Sequence, residues 1–94
     1  MNEHYALFAF DSTHSAIAAQ KVLQSLSAIV IPTLREISAS CGVSIKLSLA
    51  DAKDAANWLR LEKIQYWYLY EIETIEKHVA ATPLERWDDE PATT

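Results

Sequence analysis

The sequence contains little glycine and little cysteine, and each scarcity excludes a class of chemistry. Gly42 is the only glycine among 94 residues, so the chain cannot form a glycine-rich loop for binding phosphate. Cys41 is the only cysteine, which excludes an internal disulfide and every paired-cysteine metal or redox motif. A lone thiol is expected to stay reduced in a compartment such as the cytoplasm.

Basic side chains are also scarce. Eight Lys and Arg residues stand singly along the chain against 13 acidic residues, which gives a formal net charge of −5. Proteins that bind nucleic acid present a basic patch, and anionic membranes attract clustered positive charge. The composition therefore argues against a nucleic-acid partner and against a membrane surface.

Long apolar runs are absent as well. No stretch reaches the roughly 20 apolar residues that a membrane-spanning helix needs, and residues 1–4 lack the basic start and apolar core of a signal peptide. We therefore expect a cytoplasmic protein. With 94 residues, half of them apolar, the chain has the length and composition of one small globular domain.

Hydrophobic patterning predicts an α+β domain with the element order βαββαβ. Strands are expected at 5–10, 28–31, 43–47 and 66–72, and helices at about 14–25 and after the capping sequence 48–51. Right-handed crossovers then favour a ferredoxin-like fold, a four-stranded antiparallel sheet in the order 4-1-3-2 with two helices on one face. We assign residues 1–73 to this domain.

Residues 74–94 are predicted to form a C-terminal extension. It is expected to begin as a short helix near 74–81 and to end as a disordered acidic tail from Asp88. The sheet face without helices still carries apolar residues and needs a cover. Either the segment with Leu84 and Trp87 or a second copy of the chain would provide that cover.

Cys41 is the strongest candidate for chemistry, because it lies in a polar loop rather than in an apolar stripe. A thiol is nucleophilic only as the thiolate. The predicted topology brings this loop to the start of the first helix, whose free N–H groups favour an anion. Asp11, Ser12 and Thr13 are three candidate caps for that helix. The opposing interpretation is that Cys41 only fills space, since free cysteines are among the most buried residues.

Several polar residues would surround the thiol in this arrangement. Arg35 would supply a fixed cation, and His14 a cation or a proton acceptor. Ser38 and Ser40 would add hydroxyl donors, while Gly42 would leave room for approach to the sulfur. Alternatively, His14 merely lies on the surface, and Arg35 pairs with a carboxylate in solvent.

Other chemistries find no support in the sequence. The positions of His4, His14, His78 and Cys41 do not have the spacing of metal ligands, so we expect no metal site. Serine-nucleophile and paired-carboxylate signatures are also missing, and no cofactor is expected.

One stretch resembles a known family. The segment 32–42, PTLREISASCG, preceded by FDSTH at 10–14, is similar to the small putative selenium/sulfur carrier protein-like domains, over about residues 5–72. The resemblance implies a ferredoxin-like domain with Cys41 as carrier cysteine. It also implies a group of residues around that cysteine: Ser12, Thr13, His14, Arg35, Ser40 and Gly42. A proline expected at position 34 is replaced by Leu34.

Two functional hypotheses follow. In the first, Cys41 carries sulfur or selenium as a persulfide or selenosulfide, loaded by a donor protein and released to an acceptor protein. In the second, the chain is a non-catalytic interaction or regulatory module that forms a homodimer through its sheet. A thiol-dependent enzyme has less support than a carrier or a binding protein, because a chain this short offers little enclosed cavity.

Overall fold

The computed structural model describes residues 2–90 of the chain. Those residues form five strands and two α-helices. In chain order these are β1 (Glu3–Phe10), α1 (Thr13–Leu23), β2 (Ile29–Pro32), β3 (Val43–Leu47), α2 (Ala52–Leu61), β4 (Trp67–Ile75) and β5 (His78–Arg86). The last part of the predicted acidic tail, residues 91–94, lies outside the described residues.

All five strands pair antiparallel in one sheet, in the order β2-β3-β1-β4-β5. The predicted α+β class and the two helices are confirmed, but the prediction of four strands is wrong. Strand β4 runs past residue 73 and turns back into β5, which becomes an edge of the sheet. The narrower assignment, a ferredoxin-like fold, stays a prediction, because the fifth strand extends the sheet beyond the four predicted strands.

The short helix predicted near residues 74–81 is also wrong, since those residues belong to β4, its turn and β5. The β-branched side chains of Ile75 and Val79 favour extended backbone. Pro83 cannot donate a backbone hydrogen bond, yet an edge strand tolerates it beside an irregularity. The register of β4 with β5 does shift between Leu69 and Tyr70, and Tyr70 is the residue opposite Pro83.

Both helices pack on one face of the sheet and form the main core. There the ring of Phe8 meets Trp67 edge-on, with the centroids 5.4 Å apart. Each buried aromatic or aliphatic side chain of this size contributes about 1.5–3 kcal/mol through its removal from water. The helices contribute mostly small residues to this core, which lets them lie close to the strands: Ala16, Ala19, Ala52, Ala55 and Ala56.

The opposite face of the sheet is covered by the loop between β2 and β3. We call residues 33–42 the Cys41 loop. Its Leu34 and Ile37 pack in a second cluster with sheet residues such as Leu7. The predicted cover by Leu84 and Trp87 is wrong, because Leu84 belongs to the edge strand β5 and Trp87 packs against the helix-side core.

Candidate functional site

The Cys41 loop is closed at its base by Thr33. The backbone N–H of Thr33 donates to the carbonyl of Gly42 at 3.0 Å, and its hydroxyl donates to the carbonyl of Cys41 at 3.1 Å. Because that hydroxyl has one proton, the fully buried Ser44 must donate to Thr33 Oγ1 across the 2.8 Å between the two oxygens. Thr33 therefore holds both ends of the loop together.

The loop is also attached to the end of β1. The N–H of Cys41 donates to the carbonyl of Phe10 at 2.9 Å. The N–H of Ser40 donates to Asp11 Oδ1 at 3.0 Å. Two successive amides of the loop are thus bound by two successive residues of β1 and the turn that follows it.

The sulfur of Cys41 lies against the first turn of α1. The hydroxyl of Thr13, the first residue of that helix, donates to Cys41 Sγ at 3.6 Å. Ser12 caps the same helix, with its side chain accepting from the N–H of Ser15 at 3.3 Å. Since α1 has no acidic residue in its first turn, its partial positive charge is available to an anion.

The polar loop and Gly42 predict a sulfur that a reagent can approach, and this prediction is wrong. Cys41 is only 4% exposed and belongs to the helix-side core cluster. The reason is that the loop crosses the end of the sheet, so its tip packs on one face while Cys41 points towards the helices on the other. Gly42 beside it is exposed, and a Cβ added there would meet no atom within 4 Å.

The remaining predicted residues lie at the surface. Ser38 and Arg35 are exposed on the loop, and Arg35 follows Leu34, which packs on the face opposite the sulfur. His14 is exposed on α1 and lines a groove that also includes Lys63. Ser40 contributes through its backbone N–H. The electrostatic roles of Arg35 and His14 and the hydroxyl roles of the serines stay predictions.

Two residues of the site were missed from the sequence, Asp11 and Thr33. The sequence indicates Asp11 only as a candidate helix cap, and Ser12 occupies that position. Instead its carboxylate binds the loop through Ser40 and accepts a hydrogen bond from Tyr68 at 2.7 Å. No local pattern signals the role of Asp11, because Ser40 and Tyr68 are 29 and 57 residues away in the sequence. Thr33 bonds across its own loop, and nothing in the sequence shows how that loop closes.

The surroundings of Asp11 favour its ionised form. The hydrogen bond from Tyr68 lowers the pKa of Asp11 most, and the N–H of Ser40 lowers it further. Arg86 adds a weaker attraction. The same contact raises the pKa of Tyr68, because the phenol must lose the proton that it shares with the carboxylate.

No group of three or more histidine, cysteine or acidic side chains within residues 2–90 is arranged to hold a metal ion. No helix in that part of the chain is long and apolar enough to cross a membrane.

Comparison with known protein families gives a match. The family model described as "Putative Se/S carrier protein-like" matches residues 5–71, more than half of the chain. The matched region includes the whole Cys41 loop and ends before β5. No curated protein matches the chain, and no solved structure does.

Proposed function

Because the chain belongs to the family described as "Putative Se/S carrier protein-like", we propose that it carries sulfur or selenium on Cys41, as a persulfide or a selenosulfide. The observation that supports this most is the hydrogen bond from the Thr13 hydroxyl to the Cys41 sulfur at the start of α1. A donor and a helix N-terminus both favour the anionic sulfur that group transfer requires.

Loading is a thiol exchange. The Cys41 thiolate attacks the terminal sulfur of a donor protein's persulfide, and the bond between the two donor sulfurs breaks. The donor's cysteine leaves as a thiolate, while the terminal sulfur and its proton remain on Cys41. A selenium donor follows the same scheme, with a selenosulfide as the product.

Delivery reverses these roles. A nucleophile of the acceptor protein attacks the terminal atom, and the Cys41 thiolate is the leaving group. The absence of a second cysteine suits this step, because no internal thiol can expel the cargo by forming a disulfide within the chain. The cargo is therefore kept for transfer between proteins.

Burial of the sulfur protects the cargo between these two steps. Cys41 is enclosed by the helix-side core, and the neighbouring Gly42 is exposed. The exposed Arg35, Ser38 and His14 would then contact the donor or acceptor protein. A reducing compartment such as the cytoplasm fits this role, since the resting thiol must stay free.

Intact-protein mass spectrometry tests the carrier function. The folded wild type and Cys41→Ser are incubated with a small-molecule persulfide donor. The proposal expects the wild type to gain the mass of one sulfur atom, lost again on reduction, and Cys41→Ser to gain none. A folded wild type that gains no sulfur, while the urea-unfolded chain does, would overturn the proposal.

A second candidate function is an interaction module. Strand β2 is an edge of the sheet, and its Ile29 and Val30 are 54% and 45% exposed. Exposed apolar edges pair with further strands, which would give a homodimer. This hypothesis expects a dimer that persists in Cys41→Ser and dissociates in Val30→Lys, as measured by analytical ultracentrifugation. A monomeric wild type would contradict it.

A further inference from the structure

The carboxylate of Asp11 lies between strand β4 and the Cys41 loop. One oxygen accepts the backbone N–H of Ser40 at 3.0 Å, and the other accepts the hydroxyl of Tyr68 at 2.7 Å. Ser40 is the residue next to Cys41. A single side chain therefore connects the loop to the body of the sheet immediately before the reactive sulfur.

The backbone around Asp11 is itself held in place. Its N–H donates to the carbonyl of Tyr66 at 3.0 Å. Tyr66 has a φ of 63°, a left-handed conformation that costs a non-glycine residue roughly 1–2 kcal/mol. The ring of Tyr66 packs against Trp87 at a centroid distance of 5.3 Å. The strained residue and its contacts give the carboxylate a defined position.

The charge of Asp11 strengthens this connection. A hydrogen bond to an ionised acceptor is stronger than one between neutral groups. The titratable and charged groups that face Asp11 are Tyr68 from β4 and Arg86 from β5, and the loop contributes the N–H of Ser40. Arg86 stays close because it lies over the ring of Tyr68, 5.4 Å from the centroid.

Release of Ser40 would free the loop on the side of Cys41. The other hydrogen bonds that hold the backbone of the loop are made by Thr33 and by the carbonyl of Phe10. The Asp11 contact is the one made at the surface, since both Asp11 and Ser40 are exposed. Local opening begins at exposed hydrogen bonds of low stability.

We propose that Asp11, oriented by Tyr68, is a positioning residue that holds the Cys41 loop closed and thereby sets how readily a reagent or a donor persulfide reaches the sulfur. The biological use of this control rests on the proposed carrier function. The control itself concerns only how readily a reagent reaches the Cys41 thiol. A donor or acceptor protein that competes for the Ser40 N–H or for Asp11 would open the site when it docks.

Thiol modification by dithiodipyridine tests the proposal, because this reagent also reacts with thiols in acid. Tyr68→Phe removes one hydroxyl from the contact, and Tyr70→Phe is the matched control on the same face of the same strand. We expect Tyr68→Phe to react about fivefold faster than the wild type at neutral pH, from the loss of one hydrogen bond. Tyr70→Phe should react at the wild-type rate.

The pH dependence of the thiol modification rate separates a positioning role of Asp11 from a merely structural one. In the wild type, protonation of Asp11 in acid should weaken its hydrogen bond with the Ser40 N–H and accelerate modification. Asp11→Asn, whose amide oxygen still accepts the Ser40 N–H, should lack this acid acceleration. Asp11→Ala should react fast at every pH. Equal rates for the wild type, Tyr68→Phe and Asp11→Ala would overturn the proposal.

Hydrogen exchange of the Ser40 amide, measured by NMR in variants that remain folded, provides a second readout. Exchange should accelerate in Tyr68→Phe and stay unchanged in Tyr70→Phe, and an unchanged rate in both would contradict the proposal. These tests use no sulfur donor. A protein that takes up no sulfur can therefore still show that Asp11 limits access to Cys41. A protein in which Asp11 does not limit access can still take up sulfur.

Discussion

The hydroxyl of Thr13 donates a hydrogen bond to the sulfur of Cys41, 3.6 Å away. The two residues are far apart in the sequence, and they meet because the loop returns to the end of β1 where α1 begins. This contact places a hydrogen-bond donor on a sulfur that is otherwise surrounded by apolar side chains. We propose that this contact distinguishes Cys41 from a cysteine that only fills space.

Removal of that hydrogen-bond donor should slow the alkylation of the Cys41 thiol. Thr13→Val keeps the shape of the side chain and loses its hydroxyl, so the sulfur anion loses its hydrogen bond. We expect alkylation by iodoacetamide at neutral pH to slow by about tenfold, which corresponds to a hydrogen bond of about 1.4 kcal/mol. Thr13→Ser keeps the donor and serves as the control. Identical rates in wild type and Thr13→Val would show that the contact has no effect on reactivity.

Thr33 should matter for stability. Thr33→Val leaves the hydroxyl of the fully buried Ser44 and the carbonyl of Cys41 without their partner. We expect the free energy of unfolding, measured in urea, to fall by about 1–3 kcal/mol. Thr82→Val, on the exposed surface of β5, should change it by less than about 0.5 kcal/mol. A loss at position 33 no larger than that at position 82 would count against the loop closure described above.

The stability of the fold should depend on the ionisation of Asp11. Its pKa is lowered in the folded chain from an ordinary value of 3.8, first by the Tyr68 hydrogen bond. The ionised carboxylate therefore stabilises the fold above that ordinary value, and the contribution is lost as the pH falls through the lowered pKa. Asp11→Asn should be less stable than the wild type at neutral pH, and the difference should disappear in strong acid. Urea titrations of both proteins across this range measure it, and a difference independent of pH would be inconsistent with the assignment.

Arg60 should anchor the C-terminal strand. Its side chain is 9% exposed, with Nη1 2.8 Å from Glu85 Oε1. Its guanidinium lies 5.0 Å from the centre of the Trp67 ring, and Nη2 donates to the carbonyl of Arg86 at 3.1 Å. Arg60→Ala removes both the charge and the packing of the stem, so we expect a loss of about 2–4 kcal/mol in the free energy of unfolding.

Two variants control for this prediction. Arg60→Met should lose less, because its apolar chain still covers the ring of Trp67. Lys53→Ala, on the exposed side of the same helix, should lie within about 0.5 kcal/mol of the wild type. An Arg60→Ala protein as stable as Lys53→Ala would show that the contact with β5 contributes nothing.

The elements that could be predicted from the sequence are those with a strong local pattern. The apolar run of β1 and the helical periodicity of α1 both gave the right element within a few residues. Strand β5 could not be predicted in this way. Its Val79 and Ala81 alternate with small or polar residues, which is a weak strand pattern. These residues form a strand because they pair with β4, which is rich in aromatic residues.

The candidate site could be predicted only in part. The loop, its cysteine and the nearby helix start follow from the motif and the order of elements. The burial of Cys41 does not, because it depends on which side of the sheet each part of the loop reaches. Asp11 was missed for a related reason: its partner Tyr68 is 57 residues away, and no local pattern connects them.

The lifetime of a sulfur atom on Cys41 tests the central claim most directly. The wild type is loaded by a small-molecule persulfide, then exposed to an excess of mercaptoethanol in native buffer and in urea, and its intact mass is followed over time. A fold that holds and shields its cargo should keep the sulfur at least about tenfold longer than the unfolded chain does. Equal decay in the two conditions, or failure of the folded chain to load at all, would contradict the account.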